Sequence, residues 1–405
     1  MKRMSGETRI PALDGLRGTA IILVMVHHFV ALPQNETLIN HKIHDLAYAG
    51  WIGVDLFFVL SGFLITGILA QAKEEDHYFR NFYMRRILRI FPLYYGVLLV
   101  LFGLVPLVYQ YSPAVQKVAD RQAWLWFYGV NLNIALESQW LFGAEWLELG
   151  HFWSLAVEEH FYFLWPALVF VLRRRVLMMF CGLCIPVALV ARVALLKAGV
   201  EPTVVFVLTF CRMDSLAIGG LLALALRSPR GVDALLPAAR WASAASGAAL
   251  LTIFLIYGNF SEELPVMQSV GYPLLALFFG SLLVLSLDPA PTSMVRRVFS
   301  FRFLRLFGVY SYGLYVFHVL LRPLFIKLFG VPRLVALLPS PLGAVIAFTI
   351  LAILGSLLVA ILSWHLYERP FLKLKRFFEY RRAQDPSEAT IEGQIRLRTV
   401  TVTKD

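Results

Sequence analysis

Apolar residues recur along this chain in long blocks, separated by short polar segments in which basic residues collect. A helix needs about 20 mostly apolar residues to cross the roughly 30 Å hydrocarbon layer of a bilayer. Ten such blocks can be placed, over residues 19–33, 50–71, 90–110, 151–172, 176–197, 203–226, 241–258, 266–287, 306–329 and 341–366. The pattern predicts an all-α fold, a polytopic membrane helix bundle of about ten transmembrane helices. The stretch from Trp124 to Leu136 is aromatic but interrupted by Gly129, Asn131 and Asn133, which suits an interfacial or re-entrant segment better than a span. Residues 1–375 are expected to form one membrane domain, and residues 376–405 a polar, disordered cytoplasmic tail. The first block is read as a retained span, because no small-residue cleavage site follows it.

Composition sharpens this picture. Only 16% of the 405 residues are charged and 59% are hydrophobic, whereas a soluble domain carries about 25% charged residues. Of the 37 Lys and Arg residues, 28 fall in alternate segments: before Thr19, in 73–89, 173–175, 227–240 and 288–305, and after Glu368. Basic residues near span ends are retained in the cytoplasm, so both termini are expected there, in a multi-pass protein of the inner (plasma) membrane. The formal charge of +11 is thereby spread over many loops and does not indicate a nucleic-acid partner. Cys181, Cys184 and Cys211 lie inside apolar blocks, which implies no disulfide framework.

The candidate chemistry lies where the apolar blocks contain ionisable residues, which are costly at membrane depth unless they line a polar cavity. Arg17 and His28 are eleven positions apart, about three helical turns, and therefore share a face with roughly 16 Å between them. His27 points about 100° away, so His28 is the residue expected in the cavity, although both rings could also sit at an interface. Asp55, near the start of the second block, is expected to pair with His28 and fix its tautomer; an Asp held by backbone donors at a broken helix start is the alternative. Gly50, Gly53, Ser61 and Gly62 suit close helix packing.

Arg85, Arg86 and Arg89 in FYMRRILRIFP form a forked basic face ahead of the third block. Guanidinium groups offer paired donors to phosphate oxygens, and the same cluster could instead serve as a topology signal touching anionic lipid heads. In GHFWSLAVEEHFYFLWP, His151, Ser154 and Glu158 fall near one helical face, while Glu159 and His160 follow at about 100° steps. The two carboxylates therefore cannot both face one cavity. Arg212 and Asp214 are expected to neutralise one another across a neighbouring helix. Tyr315 and His318, three apart, are compatible with substrate hydroxyl contacts. His365, Glu368 and Arg369 read equally as a helix-end lock or as part of a site.

In this order, PALDGLRGTAIILVMVHHF, GVDLFFVLSGFLIT, FYMRRILRIFP, HFWSLAVEEHFYFLWP, RMDSLAIGGLLA, YSYGLYVFHVLL and WHLYERP resemble the membrane-bound acyltransferase-3 family across residues 11 to 370. The resemblance implies transfer of an acyl group, usually acetyl from acetyl-CoA, to a hydroxyl of a carbohydrate such as a lipid-linked or envelope glycan, or of a macrolide-type metabolite. It places the family's Arg and His of the first span on Arg17 and His28, its RxxR motif on Arg86 and Arg89, and its acidic pair on Glu158 and Glu159. His160 stands where many relatives have Gln. The roles implied are His28, Asp55 and Glu158 as catalytic groups; Arg17, Arg86 and Arg89 as acyl-CoA contacts; and His151, Ser154, Glu159, Tyr315 and His318 as substrate contacts. A thioester is already activated, so a base and a phosphate pocket are expected, and no metal. A transporter or flippase of envelope precursors is the competing class, but it does not require a basic fork joined to one deep histidine.

The charge asymmetry generates a topology prediction. Single cysteines at Ser112 and Asn259, in a background without the native three, should react with a membrane-impermeant thiol reagent in intact cells. One at Ser228 should react only after lysis. Labelling of Ser228 in intact cells, or protection of both other sites, would reverse or break the assigned orientation.

Overall fold

The computed structural model describes residues 10–30, 38–228, 231–338 and 340–380. The tail expected after residue 376 lies mostly outside them. Ten principal helices make up the bundle: α1 (Pro11–Phe29), α2 (Gly53–Gln71), α3 (Tyr78–Leu99), α4 (Trp153–Val171), α5 (Arg174–Lys197), α6 (Met213–Ala225), α7 (Leu236–Tyr257), α8 (Tyr272–Ser286), α9 (Ser311–Phe329) and α10 (Pro341–Ser363). Among the described residues the only strands are Gly143–Ala144 and Leu147–Glu148, a two-residue antiparallel ladder.

Seven of the ten helices, some with their flanking turns, are long and apolar enough to cross a bilayer. The three that fall short are α1, α4 and α6, and the reasons are physical. Arg17, His27 and His28 dilute the hydropathy of α1, and Glu158, Glu159 and His160 that of α4. The sixth expected block is broken: Pro202–Val207 is followed by an extended Leu208 and a single turn at Thr209–Cys211, which leaves α6 only 13 residues. The ninth expected block is also divided, into Arg302–Val309 and α9, at Tyr310.

The arginines expected in a loop before the third span lie instead within a continuous helix. From Tyr78 the chain runs 31 residues to Val108 through α3, a π turn at Val100–Leu104 and a last short turn. At 1.5 Å per residue this is about 46 Å, well beyond the hydrocarbon thickness, and Arg85, Arg86 and Arg89 fall within its first 12 residues. Around Pro92, which cannot donate to the helix ladder, the Tyr312 and Tyr367 hydroxyls donate to the carbonyls of Ile90 and Pro92 at 2.7 and 3.0 Å. These bonds tie α3 to α9 and to the segment after α10.

Helix α1 is the hub, in contact with α2, α8, α9, α10 and the Arg302–Val309 helix. The last approach is backbone to backbone. A Cβ on Gly15 or Gly18 would overlap the carbonyl oxygens of Phe299 and Leu304, and one on Gly308 that of Asp14. The crossing of α2 and α6 is built the same way, with Gly62 against the Leu216 carbonyl and Gly219 against that of Val59. Trp124–Leu136 resolves into the short helices Gln122–Trp126 and Val130–Glu137, and Asn131 donates from there to the Val207 carbonyl and the Thr209 hydroxyl, on either side of the break before α6.

The same break positions two buried ion pairs, and they correct two expectations. Arg212 Nη2 lies 2.7 Å from Asp55 Oδ2, and Ser215 Oγ donates to Asp55 Oδ1 at 3.0 Å. Asp55 therefore does not orient His28. Asp214 is bound by Arg192 of α5 at 2.8 Å, so Arg212 and Asp214 do not neutralise one another. Arg192 also donates to the carbonyls of Gln268 and Cys211, and Tyr272 lies under Arg212 with the guanidinium carbon 4.0 Å from its ring centre. The kinked backbone turns Arg212 back toward the first turn of α2, so its nearest acid is the one on α2.

Removing one partner of a buried pair typically costs about 3–5 kcal/mol, because the other charge is left stranded. Arg212→Met should therefore lower the thermal unfolding midpoint in detergent sharply, and adding Asp55→Leu should recover much of the loss. Equal midpoints for Arg212→Met and the parent would show that the pair does not hold the fold.

Candidate active site

The site is a polar stripe along α1, α4 and α9 with a pole at each end. At one pole stand three imidazoles. His28, the penultimate residue of α1, has its ring centre 4.9 Å from that of His318 and 6.4 Å from that of His151. His28 Nδ1 lies 2.8 Å from the Val24 carbonyl and 3.3 Å from His318 Nε2. His318 Nδ1 lies 3.0 and 2.9 Å from the carbonyls of Leu314 and Tyr315. His27 points elsewhere, as the 100° step requires, and engages the Tyr48 carbonyl at 2.7 Å.

His151 sits in the single turn Gly150–Phe152 that leads into α4. Its carbonyl accepts from the Tyr315 hydroxyl at 2.8 Å, and that hydroxyl also meets Ser154 Oγ. His151 is 6% exposed, and neither ring nitrogen makes a well-formed hydrogen bond among the described residues, although the backbone of Tyr315 and Val316 lies within reach of the ring. Buried polar atoms are nearly always paired, so a weakly held imidazole beside two others marks a place where a bound molecule can supply a better partner.

One turn further along α4 is Glu158, which accepts from Ser61 Oγ at 2.6 Å and from the Tyr162 hydroxyl at 3.1 Å. Beyond it lies the guanidinium pole. Arg17 and Arg86 are within electrostatic reach of Glu158 and of each other, and Arg89 is within reach of Arg17, Arg86 and Glu368. Arg86 lies over the Tyr162 ring, 5.5 Å from its centre. Among the described residues no hydrogen bond ties the guanidinium groups of Arg17, Arg86 or Arg89 to a protein acceptor. Three guanidinium groups gathered from two helices, within electrostatic reach of Asp14, Glu158 and Glu368 but not hydrogen-bonded to them, keep donors free, which fits a phosphorylated ligand. A narrow cleft bounded by Arg89, Tyr310, Tyr312, Trp364 and Glu368 opens beside this pole.

Most residues singled out from sequence thus converge: Arg17, His28, Arg86, Arg89, His151, Ser154, Glu158, Tyr315 and His318. Glu159 turns aside, as adjacency to Glu158 demands, into electrostatic reach of Tyr94, Tyr95, Tyr128 and Tyr312. His160 meets the Thr209 hydroxyl at 2.8 Å and so braces the break before α6. Asp55 belongs to the ion pairs. Two members of the site were missed. Tyr162 is four residues from Glu158, a spacing that could have exposed it, and Ser61 was read only as a small packing residue. Among the described residues no group of three or more His, Cys, Asp and Glu side chains is arranged to hold a metal ion.

Chemically, the arrangement offers imidazole for proton transfer at one end and anion-binding donors at the other. The acyltransferase domain family matches residues 10–364. Among similar proteins, the peptidoglycan O-acetyltransferase OatA of Listeria monocytogenes is 29% identical over 337 residues, covering 78% of this chain and 50% of its own length. The "Putative peptidoglycan O-acetyltransferase YrhL" of Bacillus subtilis is 30% identical over 385 residues, covering 89% and 54%. The chain thus spans about half the length of these curated relatives. No solved structure matches it. With its polar stripe set in a bundle of membrane-length helices and the family match running through nearly all of it, the chain belongs to the acyltransferase-3 family and is a membrane acyltransferase.

Proposed function

We propose that this enzyme transfers an acetyl group from acetyl-CoA to a hydroxyl of a cell-envelope glycan, with peptidoglycan or its lipid-linked precursor as the acceptor class. The observation that carries the reading is the stripe itself, with His28 and Arg17 about three turns apart on α1, one joined by His151 and His318 and the other by Arg86 and Arg89. The acceptor class is taken from what the similar proteins are named for. The charge asymmetry of the sequence supports an inner-membrane protein whose guanidinium pole faces the cytoplasm, where acyl-CoA is made.

In this reading Arg86 and Arg89, with Arg17, hold the phosphates of CoA, and the thioester extends past Glu158 toward the imidazoles. His28 Nε2 takes the proton of the acceptor hydroxyl as its oxygen attacks the thioester carbonyl. The C–S bond then breaks, and the departing thiolate takes that proton from His28. Each step is balanced without a further reactant. His151 and the Ser154–Tyr315 pair border the place where the acceptor hydroxyl and the thioester carbonyl meet. Glu158, with Ser61 and Tyr162, offsets the charge of Arg17 and Arg86 so that three cations can share one region. Glu159 borders the substrate path on its tyrosine-lined side.

Loss of a general base costs about a hundredfold or more in rate. His28→Ala should leave membrane abundance of the protein nearly unchanged while O-acetylation of envelope glycans, measured by mass spectrometry, falls by that factor. His27→Ala should have a milder effect. Parental acetylation in His28→Ala would remove His28 from the mechanism.

The donor assignment has its own test. Arg→Lys keeps the charge but loses the fork, so the double variant Arg86→Lys with Arg89→Lys should bind CoA clearly more weakly in calorimetry on purified protein. Unchanged affinity would leave these arginines as topology determinants.

A further inference from the structure

With Asp55 committed to Arg212, the question is what orients His28. The hydrogen-bond partners of the two facing imidazoles answer it. Carbonyl oxygens only accept, so the nitrogen facing them must carry the proton. His318 Nδ1 faces the carbonyls of Leu314 and Tyr315, which makes it the protonated nitrogen and leaves Nε2 with the lone pair. His28 Nδ1 faces the Val24 carbonyl and is therefore also protonated. The same N–H lies 3.3 Å from His318 Nε2, so it is shared between a carbonyl on its own helix and a lone pair on α9. His28 Nε2 is then the unprotonated nitrogen, the one available to substrate.

Resting on the proposal that His28 is the base, we infer that His318 is its positioning residue, a neutral imidazole that accepts from His28 Nδ1–H and takes the place a carboxylate holds in a serine-protease triad. The consequence is electrostatic as well as geometric. When His28 Nε2 takes the hydroxyl proton, the positive charge spreads to Nδ1–H, and a lone pair opposite that N–H stabilises it. His318 can do this because its own proton is held on the far nitrogen by two carbonyls. Its ring is wholly buried and edge-on to His28, with an interplanar angle of 79°. That orientation brings a ring-edge nitrogen, and not the ring face, to His28. The assignment differs from the substrate contact expected for His318 from sequence. His151, whose nitrogens make no well-formed hydrogen bond among the described residues, remains the imidazole open to substrate.

The test uses the purified full chain with acetyl-CoA and peptidoglycan oligosaccharides. His318→Phe, which keeps a ring but has no acceptor, should lower kcat by about tenfold or more, since it weakens general-base catalysis without removing the base. KM for both substrates should change little. His318→Gln, whose amide oxygen can accept from His28 Nδ1–H, should recover a large part of the loss. Nitrogen-15 spectra of histidine-labelled parent protein in lipid nanodiscs should show His28 protonated at Nδ1 and bare at Nε2, a readout that does not depend on any variant folding. A raised acceptor KM with parental kcat in His318→Phe would make His318 a substrate contact and overturn the inference. So would parental kinetics, or a His28 protonated at Nε2. Activity surviving in His28→Ala would instead defeat the underlying base assignment, so the two failures are distinguishable.

Discussion

The contact on which the arrangement depends is the ion pair between Arg212 and Asp55, 2.7 Å apart and out of water. Separated, each ion would impose a desolvation cost of several kcal/mol, so the chain is committed to bringing the break before α6 against the first turn of α2. That commitment sets the α2–α6 crossing, which the glycines at 62 and 219 let close to backbone contact. It also sets the depth of α2. Ser61, six residues beyond Asp55, thereby arrives opposite Glu158 on α4. Residues with no chemistry of their own thus place a hydroxyl on the carboxylate at the centre of the polar stripe. The second pair, Arg192 with Asp214, fixes the other side of the same break to α5.

The stripe on α4 follows from helical spacing. His151, Ser154, Glu158 and Tyr162 are three, four and four residues apart, so they descend one face and meet the face of α1 that carries His28 and Arg17. The bundle gathers this polarity on interior faces and leaves the outer surfaces of α5, α7 and α10 to residues such as Met179, Leu183, Leu255 and Leu358, all more than half exposed. Exposed apolar residues around a buried polar interior are the reverse of a soluble fold. This pattern is what a bilayer selects.

How much of this could be read from the chain divides along one line. Properties that depend on periodicity within a helix were legible: the long apolar helices, the shared face of Arg17 and His28, the divergence of Glu158 from Glu159, and the fork at Arg86 and Arg89. Properties that depend on which helices are neighbours were not. Asp55 was assigned to His28 because both stood near matching helix ends, yet a pairing between helices follows from the packing of the whole bundle. Arg212 wins that acid only because the backbone breaks at Leu208–Cys211, and an apolar run interrupted by a single Thr gave no sign of a break. The division at Tyr310 was hidden in the same way. Tyr162 escaped notice because a tyrosine in an aromatic membrane helix is ordinarily a packing or interfacial residue, and only the carboxylate four residues earlier distinguishes it.

The pairing of His28 with another imidazole, and not with an acid, is consistent with where the site lies. A carboxylate beside His28 would bring a permanent negative charge into a region of low dielectric, where it would need a cation of its own, as Asp55 has in Arg212. A neutral imidazole carries no such requirement at rest, and its lone pair still meets the charge that forms when the base is protonated. Most of the permanent charges stand at the other end, where Arg17, Arg86 and Arg89 are set against Asp14, Glu158 and Glu368, while Arg322 is within electrostatic reach of His28. Under the proposed reaction this separation is useful, because the anionic part of the donor is bound where cations already stand. Proton transfer then takes place about three turns away, among imidazoles that are neutral until the hydroxyl gives up its proton.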